Sequence, residues 1–337
     1  MRTLLTCITL LFLLPAVAFG NALNVTNLVV DQAAGTVTFD IDWQNSWRVD
    51  GAPVNSVPYN WDAVWTFVKF RECGAASSVD WTHGTVTSAV VGGTLELINS
   101  DGTANTLDTD QRGALVRQNT PGIYANTGPH TITLTISNLP AAGTDIDVKA
   151  FGIEMVFVPE GDYNLGDGNS SSGNPSTRWF TSQTIANENA ITIDGINLPA
   201  AFPKGHDAFH CMKYEISQGQ YADFLNTITG AAQTALFPSE NGSYRHTIVN
   251  TGTPPEIHVA NRPDRACNYL DWQMVGAYLD WSGLRPLTEL EYEKATRGED
   301  PPIVNEMAWG NTVYNYATTI STTVPTENGT EIIIAPA

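Results

Sequence analysis

Few residues in this chain are placed to do chemistry. His206 and His210 stand four apart, the spacing at which two imidazoles on one helix face share a metal ion. Gly205 precedes them and a strand-like run follows, so no helix presents the pair together and a metal role is not expected. Cys73, Cys211 and Cys267 lie outside the apolar N-terminal run, and none has the clustered Cys and His neighbours of a zinc site. A reactive cysteine needs a cation beside it to hold the thiolate. Arg262 and Arg265 neighbour Cys267 in sequence only, so structural roles are expected for Cys211 and Cys267. Asp162, Asp167 and Asp300 are scattered carboxylates in loops, whereas Ca²⁺ takes roughly six or more converging oxygens. Glu289, Glu291 and Glu293 crowd a helix start, where the helix dipole favours them without any catalytic task.

Aromatic residues offer a second kind of site. Trp43, Trp47, Trp61 and Trp65 invite a sugar-stacking platform. Trp61 and Trp65 share a strand face with apolar neighbours, and an indole carries a large apolar surface, so core packing is the expected role.

Composition narrows the class. Charged residues are 15% of the chain and the formal net charge is −19, which excludes a nucleic-acid surface and disfavours docking on anionic lipid. Arg2 followed by the apolar run Leu4 to Val17, with Ala18 and Gly20 beyond it, has the layout of a signal peptide over residues 1–20. The run is too short to span a bilayer, and no other stretch approaches the length a transmembrane helix needs. The expectation is therefore a secreted or cell-surface protein. In an oxidising compartment two of the three cysteines are expected to pair.

The elements that would position these residues divide at about residue 150. Residues 21–150 read as strand and turn: "LNVTNLVVD", "GTVTFDIDW", "AVWTFVKFR", "GTLELIN" and "HTITLTISNL" alternate or run apolar between Gly, Asn and Asp. Val37, Phe39 and Ile41 fall on one face and Thr36, Thr38 and Asp40 on the other, while residues 61–68 read as a central strand buried on both sides. This predicts an antiparallel β-sandwich without long helices, making few contacts with the helices of the second half.

Residues 151–337 change character. "GIEMVFVPEGDYNLGDG" predicts a hairpin turning at Pro159, Glu160 and Gly161. "AFHCMKYEIS" predicts a strand running into a helix capped by Ser217 and Gln220, with Tyr221, Phe224, Leu225 and Ile228 on its apolar face. Asp271 and Gly283 bracket a second helix carrying Val275, Tyr278 and Leu279. Thr288 with Glu291, and Gly298 at the far end, bracket a third, on which Glu293 and Arg297 make an i,i+4 pair.

The ordered set "MVFVPEGDYNLGD", "MKYEISQGQYADFLN", "LRPLTELEYEKATRG" and "AWGN" resembles the formylglycine-generating, or sulfatase-modifying-factor, enzyme family. That resemblance implies an α+β chain: the β-sandwich followed by the front part of an irregular domain related to C-type lectins. The family's catalytic members oxidise a substrate cysteine with O₂ and copper held by two cysteines, and relatives use non-haem iron. Its copper and Ca²⁺ ligands follow the "W-G-N" turn, which ends here at Asn311. No catalytic residue transfers onto this sequence, and calcium, copper or iron is expected only in a full-length domain. A binding or structural role is favoured, with an unknown protein or glycan ligand, and an oxidase is the alternative. The family packs the Cys267 segment beside the Cys211 strand, so a Cys211–Cys267 disulfide is expected, with Cys73 unpaired. With its second half beyond the sequence, the domain is expected to leave the Tyr221, Phe224 and Leu225 face partly bare.

Overall fold

The computed structural model describes residues 23–51, 59–73, 81–166, 182–193, 195–238, 245–252 and 257–303, with the backbone of two short paired strands, Thr319–Ile320 and Ile333–Ile334. Residues 1–20, Asp167 and the "AWGN" segment lie outside the described residues.

Period-two patterning sets the first layer. β1 (Asn24–Asp31), β2 (Thr36–Asp42), β3 (Gln44–Val49), β4 (Asn60–Glu72), β5 (Thr82–His83), β6 (Val86–Val91), β7 (Leu95–Ile98), β8 (Ala114–Gln118), β9 (Gly122–Asn126) and β10 (His130–Ile136) follow in order. β1, β2, β10 and β6 form one antiparallel sheet, in that order. Val37, Phe39 and Ile41 are fully buried, while Thr36, Thr38 and Asp40 face outward, as their alternation requires. They pack with Ile132 and Leu134 of β10 against Val64, Val68 and Phe70 of β4, which belongs to a second sheet.

That second sheet crosses the expected division of the chain. β11 (Ile146–Val158) runs unbroken through residue 150 and pairs with β4 from Ile146↔Glu72 to Val156↔Asp62. Its far end pairs with β16 (Phe209–Met212), and the sheet reads β16-β11-β4-β3-β9, with β5 and β8 on β4 and β7 on β8.

Helices cover its other face. The chain first makes the small pairs β12 (Tyr163–Leu165) with β13 (Gln183–Ile185), and β14 (Ile191–Ile193) with β15 (Ile196–Leu198). After β16 come α1 (Gln218–Leu225), α2 (Gly230–Ala235), the pair β17 (Ile248–Asn250) and β18 (His258–Ala260), α3 (Trp272–Ser282) and α4 (Glu289–Arg297). Trp61, Ala63, Trp65 and Phe67 of β4 join Tyr221, Phe224 and Leu225 of α1 and Tyr278, Leu279 and Trp281 of α3 in one cluster. The expectation of few contacts between the strands and the later helices is thereby corrected. A strand buried on both faces has two faces to cover, and only one is covered by the first sheet. No α-helix occurs among the described residues of the span 23–149.

Local signals held well. Ser217 and Gln220 form a capping box on α1, Thr288 and Glu291 another on α4, and Asp271 caps α3. Gly283 closes α3 in the left-handed region at φ 75°. Glu293 and Arg297 pair at 3.0 Å. Two expectations fail. β11 and β12 do not pair as a hairpin, because β16 takes that edge of β11, and the Gly161 amide donates instead to His206 O at 2.9 Å. The Tyr221, Phe224 and Leu225 face is buried rather than bare, since it lies on β4.

Candidate functional site

A cleft of about 1120 Å³ lies between the second sheet and the last two helices. Its floor is β16 and the residues up to Ile216, with Trp65, Leu115 and Met155 beneath. One wall is the loop carrying Ser100 and Asp108 to Asp110. The other is α3, the Gly283–Leu287 link and the outer side of α4.

Local chemistry fixes these walls. Trp65 donates from Nε1 to Ser282 O at 2.8 Å, tying the end of α3 to β4. Gly283 turns tightly there: a Cβ on it would stand 3.1 Å from Arg112 Cβ and 3.5 Å from Trp65 Cζ2. Arg285 donates to both carboxylate oxygens of Glu291 at 2.8 and 2.6 Å, so the link is braced by the helix it leads into. Burial raises the Glu291 pKa, but Arg285 and the Thr288 amide outweigh it and leave the carboxyl below its usual range. On the opposite wall Asp108 accepts from the Ser100 amide and hydroxyl, closing that loop on itself.

The surface between these walls is mostly apolar and partly bare. Trp272 is 74% exposed, Tyr292 57% and Leu287 36%, beside Val275, Leu279 and Leu284. Large apolar side chains gathered in one concave place mark a binding face. His210 closes the floor, donating from Nδ1 to Ser100 O at 3.0 Å, with Nε2 buried and unbonded. Desolvation lowers its pKa to about 4, so the imidazole is neutral at physiological pH.

The residues singled out from sequence are dispersed. His206 and His210 turn apart: His206 Nε2 lies 3.2 Å from Asp162 Oδ1, while His210 meets the Ser100 loop. Cys73, Cys211 and Cys267 stand as free thiols. Cys211 lines the cleft, and Cys267 packs against the helix cluster with its Sγ 3.8 Å from Asn268 O. Burial raises the pKa of both, that of Cys267 to about 12, which keeps them protonated. Trp43, Trp61 and Trp65 are core residues, and Trp47 lies under the Lys213 ammonium.

A copper ion of the kind the resemblance implies needs thiolates, and iron or calcium needs converging donors. Burial favours the opposite charge state at both candidate thiols, and no group of three or more His, Cys, Asp or Glu side chains able to hold a metal occurs among the described residues. The described residues therefore do not fit such a centre, and no chemical step is derived through one. Sequence reasoning missed Trp272, Leu287 and Tyr292. The signal was available, since Trp272 precedes the buried stripe of α3 and Tyr292 sits between the buried Glu291 and Lys294 of α4.

Comparison with known proteins gives one family. The family model described as "Sulfatase-modifying factor enzyme 1-like domain" matches residues 147–332. No curated protein matches the chain. Among solved structures the chain is similar to the group B streptococcus pilus 2b backbone protein, at 15% identity over 58% of this chain and 80% of that one, with a TM-score of 0.11, a likeness that carries no argument.

Proposed function

Because the chain belongs to the sulfatase-modifying factor enzyme 1-like family over residues 147–332, we propose that it is an exported binding protein whose cleft takes an extended segment of a protein partner. The observation that carries this reading is the set of exposed side chains Trp272, Leu287 and Tyr292 around a floor whose only thiol, Cys211, is held protonated. Such a surface gains from burying apolar area and offers no activated nucleophile. Aliphatic Val275, Leu279 and Leu284 beside the rings extend the apolar surface, which suits the apolar side chains of a peptide better than the hydroxyls of a sugar. Export rests on the apolar run Leu4 to Val17. No helix of the described residues is long and apolar enough to cross a membrane.

In this reading the N-terminal part is an antiparallel sandwich, supported by two sheets that share a buried cluster. The family part, in its turn, is a C-type-lectin-like domain built onto it. The test is to pan a displayed peptide library and a glycan array against the full chain. Peptides should be enriched, and their binding should fall at least tenfold in a Trp272→Ala, Tyr292→Ala variant. Enrichment of glycans alone, or binding indifferent to both substitutions, overturns the reading.

The family's description as an enzyme favours a second reading, an oxidase of the formylglycine-generating or non-haem iron type. It predicts conversion of a cysteine peptide to the aldehyde by the protein supplied with copper or iron, read by mass spectrometry.

A further inference from the structure

Three charged side chains are sealed where β3, β4, β11 and the residues after β16 meet. Lys213 Nζ lies 2.9 Å from Asp62 Oδ2 and 2.9 Å from Glu154 Oε2. Their side chains are only 8%, 0% and 2% exposed. Lys213 Nζ also reaches Asn45 O at 3.0 Å and Gln44 O at 3.4 Å, over the rings of Trp47 and Tyr214. One ammonium faces two carboxylates, so the site holds one acid more than an ion pair needs.

The donors on Asp62 are divided between its oxygens. Oδ1 accepts from the Ser46 hydroxyl at 2.7 Å and the Trp47 amide at 3.0 Å. Oδ2, the oxygen nearest the amine, accepts from Trp43 Nε1 at 2.9 Å. Two fixed donors on one oxygen of a carboxyl can hold negative charge that develops there, and the amine stands against the other oxygen of the same group.

We propose that Lys213 and Asp62 condense into an intramolecular isopeptide bond, with Glu154 carrying the proton. A proton passes from Lys213 Nζ to Glu154, and the neutral amine attacks Asp62 Cγ. The carbonyl electron pair moves onto Oδ1, where Ser46 and Trp47 hold it. Glu154 returns its proton to Oδ2, a second proton leaves Nζ for the same oxygen, and Oδ2 departs as water when the C–O bond breaks. An ammonium and a carboxylate are consumed, an amide and one water are formed, and Glu154 ends as it began.

Two physical effects favour the step. In water, solvation of the ions holds the equilibrium toward hydrolysis, but here both ions are stripped of solvent and become a neutral amide. The amine and the carboxyl are also held side by side, Nζ at 2.9 Å from Oδ2, so they meet without the entropy cost of an encounter between separate molecules. Burial raises the Glu154 pKa against the pull of Lys213, as a proton carrier needs. Burial likewise works against the Lys213 charge, but Asp62 and Glu154 outweigh it and hold its pKa up, so the free amine is scarce and the reaction slow. It has to occur only once per molecule. The bond would join β4 to the chain leaving β16 across 151 residues, restricting the unfolded chain as a disulfide does.

The test is the intact mass of the purified full chain, fresh and after prolonged incubation at neutral pH. The proposal expects a mass one water below that of the sequence, allowing for any N-terminal cleavage, and a protease-derived branched peptide joining Lys213 to Asp62. Lys213→Ala should show the full mass. Glu154→Gln, if its circular dichroism matches the wild type, should form the bond at least tenfold more slowly. A wild-type chain at full mass in both samples overturns the proposal, as does a lost water mapped to any other residue. A Glu154→Gln chain that cross-links at the wild-type rate overturns the role given to Glu154.

Discussion

Replacing Trp65 by Ala should unfold the strand layer and the helices together. Trp65 is buried in the cluster that joins β4 to α1 and α3, and its Nε1 donates to Ser282 O at 2.8 Å. Truncating a buried Trp costs about 3–5 kcal/mol, through lost transfer free energy and the cavity left behind. The Ser282 carbonyl at the end of α3 loses its partner as well, at about 1–3 kcal/mol where water cannot reach it. Trp65→Phe keeps most of the ring and isolates the smaller, hydrogen-bond part. Against a typical domain stability of about 5–15 kcal/mol, the Ala variant loses a large fraction of the total. The assay is urea unfolding followed by circular dichroism together with thiol labelling. Cys267 packs against the helix cluster and reports the helices, while circular dichroism reports the strands. Both probes should move to the same lower midpoint. Loss of strand signal with Cys267 still protected would refute the shared core.

Gly283→Ala should cost about 1 kcal/mol or more, since its φ of 75° disfavours a side chain and the new Cβ meets Arg112 and Trp65; a melting temperature unchanged from wild type would contradict this. His210 binds its proton less readily folded than unfolded, because burial lowers its pKa from 6.5 to about 4. Its neutral form therefore supports the fold above the unfolded value, and that support, on the order of 3 kcal/mol, is lost as pH falls from about 6.5 to 4. Comparing the pH dependence of wild type with that of His210→Gln checks this, since the variant should show a flatter profile over that window. Glu291 runs the other way from a lowered pKa: its contribution is complete above the ordinary carboxyl range and is lost only as pH falls through that range and below it. Glu291→Gln should be destabilised at neutral pH and converge on wild type in acid. Cys73 is exposed and should react first with a thiol reagent, while Cys267, its pKa pushed up to about 12, should react only on unfolding.

What was legible in the sequence was local. The caps at Ser217, Asp271 and Thr288 act over three or four residues, so composition and spacing suffice to find them. The alternation of Thr36 to Asp42 and the doubly buried run of β4 were readable for the same reason. Pairing was not. Nothing local shows that β11 joins β4 at residues more than seventy positions away, or that β16 displaces the hairpin expected after Val158. Asp62, Glu154 and Lys213 come from three distant segments, yet each left a trace: a charge inside an apolar strand, or at its end, needs a partner. The cleft escaped notice because its marks are not catalytic residue types but aromatic residues off the buried helical stripes.

Hydrogen exchange of the full chain, with and without a peptide selected against it, tests the binding role most directly. Bound peptide should slow exchange in residues 209–216 and in the segment 272–287, leaving β1, β2 and β6 unchanged. Protection confined to the strand layer, or none at saturating peptide, would contradict it.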